Sequence, residues 1–332
     1  MKIGITKILL LAMLALSFTA CLDDDDDELL GNWIQRSDFE GVTRSGAVSF
    51  TIGNFAYVGL GFDGDDFLTD FWRYDAQLDF WQRVDSFPGP SRIAAVAFSV
   101  DGKGYVGTGY DSDLDQEYKD FWEFDPNAAS GEMWQRKSDF MGSARYNAVA
   151  FAVNERGFIG SGYDGNFLKD FYRYTPQTDT WEQIVSIGGS KREDAVAFVI
   201  DDKAYVGTGR SNGAYEFDFW EYDDISGQWT RKLDIDEEDD YNIFRHGAVA
   251  IALDGMGYVI SGSSGGILST VWEYNPLNDE WEEKTEIEGS SRLDAVGFTI
   301  NGRAYVTTGR SGSFRFDDLW EFLPREEFDE DD

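Results

Sequence analysis

A unit of about fifty residues recurs six times along the chain of 332 residues. Each copy begins at an arginine, passes through alternating small and large apolar residues to an aromatic stretch that ends in glycine, and then reaches a stretch resembling Asp-Phe-Trp-x-Tyr-Asp. The copies begin at Arg44, Arg92, Arg145, Arg192, Arg245 and Arg292, with spacings of 48, 53, 47, 53 and 47 residues. A repeat of this length cannot bury its apolar face alone, so neighbouring copies must pack against one another.

Each copy has the pattern of four short β-strands. Apolar and small residues alternate with a period of two, and the first two strands are separated by dipeptides that favour hairpin turns. These dipeptides are Gly53-Asn54, Asp101-Gly102, Asp254-Gly255 and Asn301-Gly302. Four strands in a repeat of this length are typical of a propeller blade. The sequence therefore predicts an all-β, six-bladed β-propeller with four-stranded antiparallel blades.

The sixth copy lacks its final strand, which a tryptophan opens in the other copies. After Trp320 the chain reaches Pro324 and an acidic tail, whereas Trp33-Ile34-Gln35-Arg36, before the first copy, matches the missing strand. We therefore expect the strand at Trp33 to complete the last blade and to close the ring, which removes exposed sheet edges. The predicted propeller spans residues 33–323, and residues 324–332 form an acidic C-terminal tail.

The first twenty residues have the pattern of a secretory signal. Lys2 and Lys7 precede an apolar run that is too short to span a bilayer, and Cys21 follows directly. This arrangement resembles the signal of bacterial lipoproteins, which implies that residues 1–20 are removed and that Cys21 is lipidated. Residues 21–32 would then form an acidic tether, and its run of acids resembles the surface-export signal of lipoproteins in the Bacteroidetes. The expected location is the outer membrane, exposed at the cell surface; the alternative is a secreted soluble protein in which Cys21 is incidental.

The six copies together resemble the kelch repeat across residues 33–323. The shared features are the Tyr-and-Gly strand, the Asp-x-Trp-x-Tyr-Asp strand and the tryptophan that follows it. The resemblance implies the propeller fold, and it also implies two kinds of function. Some kelch propellers use arginines to bind acidic peptides, and a sialic acid epimerase is built on a six-bladed kelch ring.

Composition limits the partners and the chemistry. The chain carries 63 acidic and 28 basic residues, a net charge of −35. Such a surface cannot displace counterions from nucleic acid, so we expect no nucleic-acid partner and contact with a membrane only through the lipid anchor. One histidine, His246, and one cysteine provide neither a usual transition-metal site nor a cysteine nucleophile, so we expect no cofactor. The propeller is expected to be monomeric.

The topology of an up-and-down blade predicts which face binds ligands. We label the strands a to d from the centre outwards; the b–c loops and the d–a connections then emerge on one face. The b–c loops differ in sequence while the strands repeat, as expected of functional loops on a rigid scaffold. They cover residues 62–69, 110–119, 163–169, 210–217, 263–270 and 310–316.

The repeated arginines at the start of strand a lie on this face and have two interpretations. They are candidate ligands for a carboxylate, which guanidinium groups bind in a bidentate manner. Alternatively, each forms a structural ion pair with an aspartate that opens strand c of the same blade. These arginines are Arg44, Arg92, Arg145, Arg192, Arg245 and Arg292, and the aspartates are Asp70, Asp120, Asp170, Asp218 and Asp318.

Residues that do not repeat are further candidates. The fourth and sixth b–c loops carry basic and aromatic residues suited to a polar ligand such as a glycan, namely Arg210, Tyr215, Arg310, Phe314 and Arg315. The second b–c loop places Asp111, Asp113 and Asp115 at alternate positions, a candidate calcium site, although it lacks the glycine and the final glutamate of an EF-hand loop.

Two functions fit the sequence. The first is a surface-anchored, non-catalytic recognition module that binds a glycan or a partner protein through the b–c loop face. The alternative is a glycan-active enzyme similar to the kelch-type sialic acid epimerase. Paired carboxylates are abundant enough to leave that alternative open.

Overall fold

The computed structural model describes residues 29–236 and 241–329. In these residues six four-stranded antiparallel sheets form a ring, because each innermost strand packs beside the innermost strands of both neighbouring sheets. The predicted all-β, six-bladed propeller is confirmed. Within residues 29–236 and 241–329, no helix has both the length and the apolar character needed to cross a bilayer.

The first half of the chain forms the outermost strand of blade 6 and then blades 1 to 3. The closing strand is β1 (Asn32–Arg36). Blade 1 contains β2 (Val48–Ile52), β3 (Phe55–Gly59), β4 (Phe71–Asp75) and β5 (Phe80–Val84). Blade 2 contains β6 (Val96–Val100), β7 (Lys103–Gly107), β8 (Tyr110–Asp111), β9 (Gln116–Glu117), β10 (Phe121–Phe124) and β11 (Trp134–Lys137). Blade 3 contains β12 (Val149–Val153), β13 (Arg156–Gly160), β14 (Phe171–Thr175), a 3₁₀ turn (Pro176–Thr178) and β15 (Thr180–Ile184).

The second half of the chain forms blades 4 to 6. Blade 4 contains β16 (Val196–Ile200), β17 (Lys203–Gly207), β18 (Arg210–Ser211), β19 (Ala214–Tyr215), β20 (Trp220–Asp223) and β21 (Gln228–Arg231). Blade 5 contains β22 (Val249–Leu253), β23 (Met256–Ile260), β24 (Val271–Asn275) and β25 (Glu280–Lys284). Blade 6 contains β26 (Val296–Ile300), β27 (Arg303–Thr307), β28 (Arg310–Ser311), β29 (Phe314–Arg315) and β30 (Leu319–Leu323).

The hydrophobic core lies between adjacent blades. Strand a alternates, so that in β6 the side chains of Val96, Phe98 and Val100 are buried against the neighbouring blade. The ring of Phe98 stacks on Tyr105 of its own blade at a centroid distance of 5.3 Å, and Tyr105 meets Tyr174 of blade 3 edge-on. Each blade thus depends on its neighbour for a complete core, which explains why the repeat must close into a ring.

The ring closes through its N-terminal strand, as predicted. Strand β1 pairs with β30 in antiparallel register, with Trp33 opposite Phe322. The two rings stack with their centroids 4.5 Å apart, and Trp33 is fully buried. The fourth strand of blade 6 therefore comes from the opposite end of the domain, and the two ends of the propeller secure each other.

Two rings of backbone hydrogen bonds join the blades around the axis. The first ring involves the residue two positions after each repeated arginine, whose N–H donates to the carbonyl of its counterpart in the preceding blade at 2.8–3.3 Å. We call these the ring residues; they are Gly46, Ala94, Asn147, Asp194, Gly247 and Asp294. In the second ring, the glycine at the start of each b–c loop donates to the carbonyl of the repeated arginine of the next blade at 2.7–3.1 Å.

The glycines of the second ring are required by space. At Gly209, for example, φ is +87° and an added Cβ would lie 2.6 Å from the carbonyl oxygen of Glu193. A side chain would push the start of the b–c loop away from the start of strand a in the same blade and would disturb the hydrogen bond to the next blade. This explains why every copy keeps a glycine at this position.

The blades alternate in structure as well as in spacing. Blades 2, 4 and 6 carry a two-stranded hairpin in the b–c loop, formed by β8–β9, β18–β19 and β28–β29. In blades 1, 3 and 5 the b–c loop is instead closed by a single bridge. Arg92, Arg192 and Arg292 accordingly lie 100 residues apart. The propeller therefore has pseudo-threefold symmetry, and its unit is a pair of blades.

Candidate functional site: an axial cavity

A cavity of about 470 Å³ opens at the axis on the face of the b–c loops. Its volume is within the range of ligand pockets, roughly 300–1,000 Å³. The ring residues form its floor, and the first residues of the b–c loops form its wall. The side chains that give it chemical character are Phe62, Tyr110, Tyr146, Asn147, Asp194, Arg210, His246, Asp294, Arg310 and Arg315.

The six repeated arginines do not line this cavity. Each is fully buried, with at most 1% of its surface exposed. In five blades the guanidinium pairs with the aspartate that opens strand c: at 2.8 Å for Arg44 with Asp70, at 2.5–2.7 Å in blades 2, 3 and 6, and also in blade 4. Each of these guanidinium groups also donates to backbone carbonyls, as Arg44 does to that of Leu60. We assign these arginines to the scaffold, where they tie the start of strand a to the start of strand c.

Burial and pairing act in opposite directions on these aspartates. Burial raises the pKa of Asp120, but the hydrogen bonds and charge of Arg92 and the indole N–H of Trp122 more than offset it, so the pKa lies below its usual range. The same balance lowers the pKa of Asp70 and of Asp170. These carboxylates therefore remain charged at neutral pH and keep the buried guanidinium groups compensated.

The ring residues at the floor of the cavity have an unusual backbone conformation. All six ring residues have positive φ, between +50° and +65°, and only two of them are glycine. Asparagine and aspartate tolerate this conformation better than other side chains do. Asn147, Asp194 and Asp294 use it to place polar groups at the axis, where six glycines would place none.

Two of the predicted arginines lie in the wall of the cavity, and each is paired with an acid. Arg310 Nε lies 2.8 Å from Asp294 Oδ2. Arg210 contacts Glu193 Oε1 at 3.2 Å and Asp194 Oδ2 at 3.4 Å. About two fifths of each arginine side chain is exposed. These guanidinium groups can still bind a ligand, but their charges are largely neutralised within the protein.

His246 lies beside one of these pairs. Its Nδ1 is 3.4 Å from Asp194 Oδ2, and its ring is partly stacked on Tyr215 at a centroid distance of 6.2 Å. The hydroxyl of Tyr215 accepts a hydrogen bond from the N–H of Gly265 in blade 5. Tyr215 therefore packs against His246 outside the cavity, whereas His246 itself lines the cavity.

The opposite side of the cavity is aromatic. Tyr110 and Tyr146 stack with centroids 4.7 Å apart and an interplanar angle of 25°. Burial, followed by the nearby carboxylate of Glu193, raises the pKa of Tyr146 to about 12, so its hydroxyl remains a hydrogen-bond donor at neutral pH. Beyond this pair, the guanidinium of Arg315 lies 4.8 Å from the centre of the Phe62 ring. The cavity thus combines an aromatic wall with a polar one.

Other predicted residues lie away from the cavity. Phe314 is 76% exposed at the tip of the blade 6 hairpin. The carboxylate of Asp111 accepts the backbone N–H groups of Asp113 and Leu114, and Asp115 accepts the hydroxyl of Tyr110. Within residues 29–236 and 241–329, no three acidic, histidine or cysteine side chains are gathered as metal ligands. Cys21, the predicted lipidation site, lies outside the described residues.

The sequence did not indicate several residues that line the cavity. Asn147, Asp194 and Asp294 occupy the second position after a repeated arginine, where other copies have glycine or alanine. A polar residue that interrupts a small-residue position at the axis is the signal that could have identified them. Tyr146 and His246 occupy the position before it, which varies in all six copies.

Comparisons with known proteins agree with this architecture. The family model described as the KLHDC2/KLHL20/DRC7 Kelch-repeats domain matches residues 141–294. No curated protein matches the chain. A solved structure titled "Structure of YjhT" superposes with a TM-score of 0.72; the two sequences are 17% identical, and the match covers 86% of this chain and 96% of that chain. At this identity the likeness concerns the fold alone. Together with the six sheets, these matches identify the fold of this chain as a six-bladed β-propeller, in which residues 141–294 are similar to a kelch-repeat domain.

Proposed function

We propose that this protein is a non-catalytic recognition module that binds a glycan in the axial cavity. The observation that carries this proposal is the pairing of an aromatic wall, Tyr110 and Tyr146, with a polar wall that contains Arg210 and Arg310. Sugars present both an apolar ring face and a set of hydroxyl groups, so they match a site that offers stacking on one side and hydrogen bonds on the other.

A glycan array probed with the mature chain tests this proposal. We expect specific glycans to bind, and we expect Tyr146→Ala to weaken their binding while the melting temperature falls only slightly, since Tyr146 is half-buried at the surface of the cavity. Phe314→Ala is the matched control, because Phe314 is aromatic and lies on the same face but outside the cavity. Equal losses for the two variants would contradict binding in the cavity.

One observation favours the enzymatic alternative, a glycan-active enzyme. His246 and Asp194 lie 3.4 Å apart at the cavity, and a histidine beside a carboxylate is an arrangement that general acid–base catalysis uses. Glycans that bind in the array should therefore be incubated with the protein and followed by NMR. If the wild-type protein converts a glycan and His246→Gln abolishes that turnover, the protein is a glycan-active enzyme and the proposal of a non-catalytic module is wrong.

We also propose that the propeller is a monomer attached to the outer surface of the outer membrane through lipidated Cys21. The support is the sequence of residues 1–28, in which an apolar signal, one cysteine and an acidic run follow one another. Labelling cells with a fatty-acid analogue should mark the wild-type protein and not Cys21→Ser. External protease should remove the propeller from intact cells, and light scattering of the protein without its lipid should give the mass of one chain. Protection from protease would contradict the surface location.

A further inference from the structure

Two of the three blade pairs present the same two side chains to the axial cavity. Asp194 and Arg210 in blade 4 correspond to Asp294 and Arg310 in blade 6, and both residues are displaced by 100 positions. In each case a ring residue with positive φ contacts the first residue of the b–c hairpin of its own blade, at 3.4 Å in blade 4 and 2.8 Å in blade 6. The cavity therefore contains one Asp–Arg arrangement twice.

The third blade pair has a different chemistry at the same positions. In blade 2, Ala94 replaces the aspartate and Tyr110 replaces the arginine. Tyr110 stacks on Tyr146 of blade 3. The pseudo-threefold cavity is thus divided into two polar thirds and one aromatic third.

The charges of the polar thirds cancel. Asp294 balances Arg310, and Glu193 and Asp194 more than balance Arg210. Arg315, which lies over Phe62, is the third cation at the cavity. Three guanidinium groups are therefore balanced by three carboxylates, of which Asp194 and Asp294 line the cavity and Glu193 pairs with Arg210. A charged ligand would be attracted by one of these groups and repelled by its neighbour, so its charge would add little to its binding free energy. An uncharged ligand has no such conflict.

Each Asp–Arg pair is suited to hydroxyl groups. The carboxylate only accepts hydrogen bonds and the guanidinium only donates them, so a pair held side by side can bind neighbouring hydroxyls, one as donor and one as acceptor. The two pairs belong to blades two apart in a ring of six, which separates them by a third of a turn around the axis. A single ligand that reaches both pairs must extend across the cavity.

We propose that the axial cavity binds a neutral oligosaccharide that bridges the Asp194–Arg210 and Asp294–Arg310 pairs while one of its rings packs on Tyr110 and Tyr146. This inference rests on the proposed glycan recognition and specifies its ligand class. It assigns equivalent positioning roles to two pairs of residues and an apolar contact to the aromatic third.

The first experiment compares neutral and acidic glycans on one array, followed by calorimetry with matched probes: lactose against 3′-sialyllactose, and digalactose against digalacturonate. Neutral glycans should bind more tightly. Their affinity should stay constant between low salt and about 1 M sodium chloride, where the screening length falls to ~3 Å. Preferred binding of acidic probes, weakened by salt, would overturn the inference while leaving glycan recognition intact. An array without any bound glycan would instead overturn the proposed function.

The second experiment removes the two charges of each pair without changing the net charge of the protein. Asp194→Asn/Arg210→Gln and Asp294→Asn/Arg310→Gln are the two variants; asparagine is already present at the ring position in blade 3, as Asn147, so the backbone conformation is retained. Each variant should weaken the best neutral probe by about tenfold to a hundredfold, since each removes hydrogen bonds to charged groups. A loss confined to one pair would overturn the bridging arrangement. Melting temperatures close to that of the wild type would show that the variants fold.

The third experiment grafts the pair into the aromatic third. Ala94→Asp/Tyr110→Arg would give the cavity three Asp–Arg pairs and no stacked tyrosines. We expect this variant to lose binding of the neutral probe, and Tyr110→Phe to retain it because the ring remains. Tighter binding by the three-pair variant would show that the aromatic contact has no role.

Discussion

Thr270 occupies the position at which the other five blades place an aspartate, so the repeated Arg245 donates to a backbone carbonyl there instead of to a carboxylate. Arg245 Nη1 lies 3.2 Å from the carbonyl oxygen of Thr270, and its other hydrogen bonds also go to carbonyls. Burial lowers the pKa of this guanidinium to about 10. Within the described residues, the hydroxyl of Thr270 and the indole N–H of Trp272 are buried without a hydrogen-bond partner. Blade 5 thus contains a cation at neutral pH that lacks the carboxylate present in the other blades.

Restoring that carboxylate should stabilise the propeller. An aspartate at position 270 would bind both Arg245 and the indole of Trp272, as Asp70 binds Arg44 and Trp72. Glu283 of the outer strand, whose charge acts on Arg245, occupies the position where blade 1 has Arg83. We therefore expect Thr270→Asp/Glu283→Arg to raise the free energy of unfolding by about 1–2 kcal/mol, measured by chemical denaturation. Thr270→Asp alone should gain less, because two carboxylates would then adjoin; a destabilised double variant would contradict this explanation.

Acid should destabilise the protein in a defined pH range. The folded-state pKa values of Asp70, Asp120 and Asp170 lie below their usual values. Their contribution to stability is therefore complete above the unfolded pKa of about 3.9 and is lost as the pH falls through the folded pKa. Above pH ~5 these aspartates should cause little change in the melting temperature, and below pH ~4 the melting temperature should fall steeply.

A variant identifies these pairs as the cause of the acid effect. Asp120→Asn should lower the free energy of unfolding at pH 7 by about 3–5 kcal/mol, because Arg92 would remain buried without its counter-ion. This variant should also lose less additional free energy of unfolding than the wild type when the pH is lowered. Asp115→Asn is the control, since Asp115 is an exposed acid of the same blade. Equal effects of the two variants would exclude the buried pair as the cause.

Replacing Ala94 by glycine should stabilise the protein. Ala94 has a φ of +51°, a conformation that costs a residue with a Cβ roughly 1–2 kcal/mol, and it is held there by the hydrogen-bond ring at the axis. Ala94→Gly should therefore stabilise the protein by about 1 kcal/mol, measured by its denaturation midpoint. Ala97→Gly, in the extended strand β6, should destabilise it by about 0.5–1 kcal/mol. A loss of stability at both positions would indicate that the ring imposes no strain on Ala94.

Trp33 should control the closure of the ring. It is fully buried against Phe322, so Trp33→Ala should cost about 3–5 kcal/mol. Trp81→Ala removes the equivalent buried side chain in blade 1, within a continuous blade. Hydrogen exchange separates the two variants, because only Trp33→Ala should expose the amides of β1 and β30. Equal protection of these amides in both variants would contradict a specific role in closure.

The fold could be predicted because the sequence pattern that specifies one blade occurs six times. The six arginines recur at spacings of 47 to 53 residues, each followed by a similar series of strands, and the strand at Trp33 matches the one that the last copy lacks. Each copy therefore supports the strand assignment of the others. The sequence did not determine which groups the arginine side chains contact. The sequence left a carboxylate ligand and a structural aspartate as alternative partners, and only the side-chain positions place Arg44 on Asp70.

The cavity was only partly predictable, because its residues do not repeat. Arg210 and Arg310 were identified from loop composition, but their partners Asp194 and Asp294 were not, since acids are abundant throughout the sequence. Their role depends on a positive φ that the sequence alone does not report. The alternation of long and short spacings was visible, yet only the hairpins of the even blades give it a structural meaning.

The pairing of β1 with β30 also determines how the molecule responds to force. The two strands are antiparallel, and the described ends of the chain leave from the same side of the pair, where the N–H of Gly31 donates to Glu326 and the N–H of Asp329 donates to Asn32. Tension between the two ends would load the hydrogen bonds one at a time, beginning near Asn32 and Leu323, so the ring would peel open instead of shearing.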